Sequence, residues 1–377
     1  PILMKSFNLI LICICATALS CSQSIEKRAE RGDADAQYEL AMIYLDSLPI
    51  TGDTSKVRLG MKYLTESART NDEAQVALGL CYIDGKWTPK NYAEAITQFR
   101  LAAEAGNDKA QYLLGLCYNN GEGVDQNYST AKEWFCLSAE QDYADAQYML
   151  GQYYAIGKGC TKNDDEAIKW YRLAAEQGNA DAQNSLGLYY YEGTAVTQNY
   201  AEAVKWYKLS AAQGNLYATN NLGTCYEAGY GVQQDYAEAV KLYRIAADKG
   251  LDLAQNNLGR CYSTGTGVKQ DYSKAMKCFM QAAEQGNADA QFNVGALYLS
   301  FDSGFFNLEQ AAKWFQRASE ENVDALLMFG YLCEYGFGVP KNPVIAFTCY
   351  TEAYKQGREK EAAEALNNLR DHYKSMY

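Results

Sequence analysis

The chain has 377 residues, 48% hydrophobic and 21% charged, which supplies ample apolar material for a large core and excludes a wholly disordered chain. Its formal net charge of −12 argues against a phosphate-binding surface, because nucleic-acid binders present clustered Lys and Arg that release counterions, so nucleic acid is not an expected partner. The 32 Tyr and 30 Gly, beside 5 Pro and one histidine (His372), point to a small motif used many times.

The first element is a leader. Met4-Lys5 precedes an apolar run from Phe7 to Ser20, short for a membrane span and of the length of a signal-peptide core. Pro1, Ile2 and Leu3 stand before the expected start at Met4. Ala18-Leu19-Ser20-Cys21 resembles a loose bacterial lipobox, in which the cysteine is lipidated and becomes the first mature residue, although Leu is usual where Ala18 stands. Ordinary cleavage near Ala16 to Ser20 is the alternative, with Cys21 as incidental as Cys13 and Cys15. Either route makes residues 1–23 a signal peptide and puts the mature chain in the cell envelope or outside it, membrane-anchored if Cys21 is lipidated and periplasmic or secreted if not.

From residue 24 onward the chain repeats itself. Gly79, Gly115, Gly151, Gly187, Gly223, Gly259 and Gly295 recur at a constant spacing of 36 and act as a ruler. Around each the pattern returns, as in Asp145-Ala146-Gln147-Tyr148-Met149-Leu150-Gly151 and Asp181-Ala182-Gln183-Asn184-Ser185-Leu186-Gly187, with Tyr154 and Tyr190 three residues on. A second block follows, Asn199-Tyr200-Ala201-Glu202-Ala203-Val204-Lys205-Trp206-Tyr207 in one copy and Asp235-Tyr236-Ala237-Glu238-Ala239-Val240-Lys241-Leu242-Tyr243 in the next. Ala182, Leu186 and Tyr190 lie at i, i+4 and i+8, as do Ala203, Tyr207 and Ala211, so the spacing predicts two helices per repeat, each with one packed face. Small Ala and Gly on that face let the backbones approach, and Tyr or Trp fills the space beside them.

Between the helices, Gly121-Glu122-Gly123-Val124 recurs as Gly229-Tyr230-Gly231-Val232, Gly265-Thr266-Gly267-Val268 and Gly336-Phe337-Gly338-Val339, where glycine supplies the positive φ of a tight reversal. Asn199 with Glu202, and Asp235 with Glu238, are expected to form capping boxes at the start of the second helix. Gly178, Gly214, Gly250 and Gly286 are expected to end it in the left-handed conformation.

The motifs A-Q-x-x-L-G-x-x-Y, G-x-G-V and A-x-x-W/Y-x-x-x-A-A together resemble the Sel-one-like repeat (SLR) family, relatives of the tetratricopeptide repeats, over nearly the whole mature chain. The resemblance implies an all-α fold, a right-handed superhelical α-solenoid of about nine helix-turn-helix repeats of 36 residues over 24–357, counted from Ala29 to Gly357, with a capping helix over 358–377. Two repeats depart from the pattern. The first has Ala41 where the ruler wants glycine and a divergent loop from Asp46 to Thr54, and the eighth replaces G-x-G-V with Ser300-Phe301-Asp302-Ser303-Gly304.

The resemblance further implies an interaction scaffold that holds a protein or extended peptide, and the repeat physics agrees. Repeats that touch only their neighbours generate a long surface rather than the deep convergent pocket of an enzyme, so no catalysis and no cofactor is expected. Partner-binding candidates are first-helix positions that vary while the packing residues stay constant, three and two residues before and one after the ruler glycine. These include Tyr112, Tyr148 and Gln152 in repeats three and four, and Asn184, Asn220, Asn221, Asn256, Asn257 and Arg260 in repeats five to seven. An asparagine ladder on the concave face can hold a peptide backbone whatever its sequence, since each amide both donates and accepts; solvated helix positions are the competing reading. Trp134, Trp170, Trp206 and Trp314 recur in register with packing residues and read as core.

Of the 12 cysteines, nine remain once Cys13, Cys15 and Cys21 are set aside, an odd number. Cys81, Cys117, Cys225 and Cys261 share one repeat position with Tyr153 and Tyr189, which favours packing. The resemblance to cysteine-rich secreted members suggests bridges between Cys117 and Cys136, Cys261 and Cys278, or Cys333 and Cys349, but the regular pair of those members is missing, and packing is preferred. With no C-x-x-C, no metal site is expected. Some of those relatives are described as penicillin-binding or weakly β-lactam-hydrolysing, and Ser129-Thr130-Ala131-Lys132 matches S-x-x-K, which keeps a weak cell-wall or β-lactam hydrolase as the alternative function. The K-T-G partner motif is absent, and Ser129 takes the slot of Ala201 and Ala237. Asp164-Asp165 and Glu320-Glu321 read as solvated charge at helix ends.

Overall fold

A computed structural model describes residues 24–46 and 54–374, so the leader with its lipobox, the loop of the first repeat and the last three residues lie outside the described residues. The described residues form helices and connecting turns, with no strand among them. The chain divides into two bodies, residues 1–182 and 183–377.

In the first body a helix at 24–30 precedes four helix pairs: Ala34–Asp46 with Thr54–Ser67, Asp72–Asp84 with Tyr92–Glu104, Asp108–Asn120 with Tyr128–Glu140, and Ala144–Ile156 with Asp164–Glu176. Pair five, Ala180–Glu192 with Tyr200–Ala212, carries the division between the bodies within its first helix. The second body continues with Leu216–Ala228 and Tyr236–Asp248, Asp252–Thr264 and Tyr272–Glu284, Ala288–Leu299 and Leu308–Ala318, and Val323–Tyr335 and Pro343–Lys355. It ends with Glu359–Lys374. Within each body a helix packs chiefly on the one before and the one after, the connectivity of an α-solenoid.

The ruler glycine is a steric requirement. A Cβ on Gly115 would sit 2.6 Å from the Phe135 ring, one on Gly223 2.7 Å from Tyr243, and one on Gly259 2.6 Å from Phe279. In pairs two to nine an aromatic ring of the second helix thus lies against the bare backbone of the first, and Phe135, Tyr207 and Tyr243 are almost fully buried there. Pair one has its glycine on the other helix: a Cβ on Gly60 would lie 3.2 Å from the Ala41 carbonyl, so the backbones approach there although Ala41 replaces the ruler glycine.

The caps follow the sequence with one correction. Asn199 Oδ1 accepts from the Glu202 N–H at 3.1 Å, and Asp235 Oδ1 from the N–H groups of Ala237 and Glu238 at 3.0 Å. The return half of the expected capping box is not formed. The Asn199 and Asp235 N–H groups are already taken by the carbonyls of Tyr190 and Tyr226 at 2.8 and 2.9 Å, so Glu202 and Glu238 turn to Lys205 and Lys241 instead. Gly178, Gly214, Gly250 and Gly286 all have positive φ just past the second helix.

Both glycines of each G-x-G-V loop have positive φ, and the second also lies against the preceding pair: a Cβ on Gly231 would collide with the Tyr200 carbonyl, and one on Gly338 with that of Leu308. In the fifth pair Ala195 takes this position with φ 56°. The divergent eighth loop is organised by Ser303, whose single hydroxyl proton is shared between the Leu297 and Ser300 carbonyls and whose oxygen accepts from the Phe305 N–H.

Successive pairs are indexed by polar rungs. Asn107 Nδ2 donates to Asp72 at 2.9 Å, Asn287 to Asp252 at 2.8 Å, and Asn322 to Asp289 at 2.7 Å. The last helix keeps the rung through Arg358 and Asp324 at 2.7 Å, but Leu366 stands eight residues after Arg358, where the ruler glycine stands after Asn322. A leucine there leaves no bare backbone for a further ring, so Glu359–Lys374 does not repeat the first-helix seat of the other pairs.

Candidate functional site

The first-helix residues singled out above fall into two sets, one in each body. In the first body Tyr112 is half-buried, its ring 5.9 Å from Phe135 and 5.2 Å from Tyr143, and burial pushes its hydroxyl up to about 12. Its bulk is therefore largely spent on packing. Tyr148 lies 6.0 Å from the Tyr171 ring and its hydroxyl accepts from Gln152 Nε2 at 2.7 Å. Gln152 lines a hollow of about 290 Å3 with Asn119, Tyr153, Ile156 and Lys158. There Asn119 Oδ1 accepts from the Tyr153 hydroxyl at 2.7 Å and Lys158 Nζ at 2.9 Å. Ile156, 70% exposed, is an apolar lip on this polar floor.

In the second body the asparagines bond one another across pairs. Asn221 Nδ2 donates to Asn184 Oδ1 at 3.1 Å, Asn257 to Asn220 at 2.9 Å, and Asn293 to Asn256 at 2.8 Å. The residue three before one ruler glycine thus accepts from the residue two before the next, a spacing of 37. Asn220 is buried, whereas Asn184, Asn221, Asn256 and Asn257 are half-exposed. A rung engages one oxygen and one N–H of an amide pair, so hydrogen-bonding capacity remains on the exposed side.

Arg260 extends this face. Its Nη2 donates to Glu227 Oε2 at 2.8 Å, and the same carboxylate oxygen accepts from the Tyr243 hydroxyl at 2.7 Å. Asn293 and Glu227 were not among the sequence candidates. Aligning the repeats at 36 residues puts Asn293 in one column with Asn221 and Asn257, a signal that was available; Glu227 lies outside the variable positions, four after its glycine.

The S-x-x-K segment is arranged differently from a serine hydrolase. Ser129 is exposed near the start of Tyr128–Glu140, whereas Lys132 Nζ lies 4.7 Å over the Tyr154 ring. Partial burial works against the lysine's charge, but the hydrogen bond to Tyr154 and the neighbouring groups outweigh it and hold its pKa above the ordinary lysine value. A lysine so held is a poor base for Ser129.

The nine cysteines from Cys81 to Cys349 are free thiols. Burial pushes Cys117 up to about 12 and Cys225 and Cys261 to about 11, so these thiols stay protonated and serve as small apolar side chains. Among the described residues no group of His, Cys, Asp or Glu is arranged to hold a metal ion, and no helix is long and apolar enough to cross a membrane.

No curated protein matches the chain significantly. Among solved structures, the chain is similar to a protective antigen of uropathogenic Escherichia coli strains that displays an SLR fold, at 28% identity and a TM-score of 0.61, over 93% of this chain and 90% of that one. It is similar also to a Sel1 repeat protein from Oxalobacter formigenes, at 35% identity and a TM-score of 0.61, over 65% of this chain and 96% of that one. The Sel1 repeat model matches nine consecutive segments, from residues 34–72 to 323–357, in phase with the nine helix pairs. The chain belongs to the Sel1 repeat family.

Proposed function

We propose that this protein is an exported, lipid-anchored bacterial scaffold that holds a protein partner, as an extended segment, along the first-helix face of its repeats. Sel1 repeat solenoids are scaffolds typical of protein–protein interaction. The observation that carries the reading is the asparagine ladder: three rungs at one spacing fix the amides at regular intervals, and all of them but the buried Asn220 are half-exposed. A peptide backbone offers alternating N–H and carbonyl groups that such amides can bond without reading side chains. Arg260, exposed beside the ladder and paired with Glu227, adds further N–H donors to this face.

The test changes Asn184, Asn220 and Asn256 to Ala together and compares capture of envelope proteins with wild type, circular dichroism confirming the fold. Loss of a specific partner, at least tenfold in yield, is expected. An unchanged partner set would return the asparagines to solvated helix positions.

Anchoring rests on Ala18-Leu19-Ser20-Cys21 and has its own test. Cys21→Ser should move the protein wholly from the membrane to the soluble fraction and abolish incorporation of labelled palmitate. Unlabelled wild type, cleaved before Cys21, would point to a free periplasmic or secreted protein.

A further inference from the structure

The position 19 residues after the ruler glycine, on the second helix, lies at the seam between successive pairs and holds Trp134, Trp170, Trp206 and Trp314 in four pairs, and Gln98, Leu242, Cys278 and Cys349 in others. Trp170 packs on the cluster of Ala139 and Leu150, beside Tyr154. Trp134 does the same with Ala103, Leu114 and Tyr118, and Trp314 with Ala283, Val294 and Tyr298. The counterparts of Ala139, Leu150 and Tyr154 three repeats later are Ala247, Leu258 and Tyr262, but the tryptophan position there is Cys278.

At Cys278 the smaller thiol borders an open hollow, whereas Cys349, which holds the same position in the last pair, is buried. A cavity of about 480 Å3 is lined by Ala247, Leu258, Tyr262 and Cys278, within the size range of small-molecule sites. Burial pushes the Cys278 thiol up, so it remains protonated and extends the apolar wall. The mouth is charged: Arg244, Lys274 and Lys277 line it with one carboxylate, Asp248. Arg244 Nη2 donates to the Tyr262 hydroxyl at 3.1 Å and Lys274 Nζ lies 5.4 Å from the Tyr262 ring, while Lys274 also pairs with Asp271 at 3.3 Å. In a chain of net charge −12, three cations against Asp248 and Asp271 make this mouth locally positive, over a slot whose apolar wall is joined by Gln255 and Gln281.

We propose that this seam binds a small planar aromatic acid, its ring in the slot that tryptophan fills in other pairs and its carboxylate facing Arg244, Lys274 and Lys277. The walls are the side chains that accept an indole elsewhere in the same protein, which selects a flat ring. The cationic mouth selects a carboxylate over a neutral or cationic substituent.

The test is calorimetric titration of the full mature chain with indole-3-acetate. Wild type should bind one equivalent saturably, and neutral indole at least tenfold more weakly. Cys278→Trp plugs the slot with the residue that four other pairs already hold, so it should fold with an unchanged or raised melting temperature and lose binding. Arg244→Gln with Lys277→Gln keeps the slot and should weaken indole-3-acetate tenfold while leaving indole unaffected. Absence of saturable binding to wild type, equal binding to Cys278→Trp, or no preference for the acid over indole would each overturn the assignment.

Discussion

Gly338→Ala should cost about 3 kcal/mol or more of stability, against about 1 kcal/mol for Gly304→Ala, although both add one methyl to a loop glycine of positive φ. Their φ values, 72° and 79°, are alike, so the left-handed strain on an L side chain, roughly 1–2 kcal/mol, is common to both. The surroundings differ. A Cβ on Gly338 meets the Leu308 carbonyl and the Glu309 nitrogen, backbone atoms that cannot rotate away, whereas a Cβ on Gly304 finds no atom within 4 Å. Overpacking against a rigid neighbour adds roughly 1–3 kcal/mol. Urea unfolding followed by circular dichroism measures both variants; equal losses would mean that dihedral strain, not the close approach, explains the second glycine.

The period was the legible part of this protein. A glycine every 36 residues with an aromatic 20 later states a contact, since the one is small where the other is large, and the structure pairs Gly115 with Phe135 and Gly259 with Phe279. Local rules were legible only where they involved one helix at a time. The capping box looked complete from Asn199 and Glu202, but its return bond depends on whether the Asn199 N–H is free, and the Tyr190 carbonyl of the other helix decides that. The candidate residues suffered from the same blindness. Position −3 lies at the edge of the seam, so size decides its direction: at Tyr112 the ring packs against Phe135, and at Asn184 the amide crosses to the next pair. The slot at Cys278 required both facts, the tryptophan column from the sequence and the open volume from the structure.

The largest coupling should appear between Gly259 and Phe279. Gly259→Val should destabilise by about 3 kcal/mol, because a Cβ alone would already stand 2.6 Å from Phe279 Cδ1 and valine adds two methyls in the same direction. Phe279→Ala should destabilise by about 4 kcal/mol, since the ring is 2% exposed and its removal leaves a cavity between two helices. In the double variant the valine occupies part of the volume that the ring vacates. The losses should then fall short of additivity by about 2 kcal/mol, a coupling at the upper end for residues in contact. Phe279 suits this cycle better than Tyr243, whose hydroxyl also donates to Glu227 and would mix a lost hydrogen bond into the result. Chemical denaturation of wild type, both single variants and the double variant gives the coupling directly. Additive losses within about 0.5 kcal/mol would mean that the helices shift apart to relieve each change separately, and that the ruler glycine reflects something other than the seat of the ring.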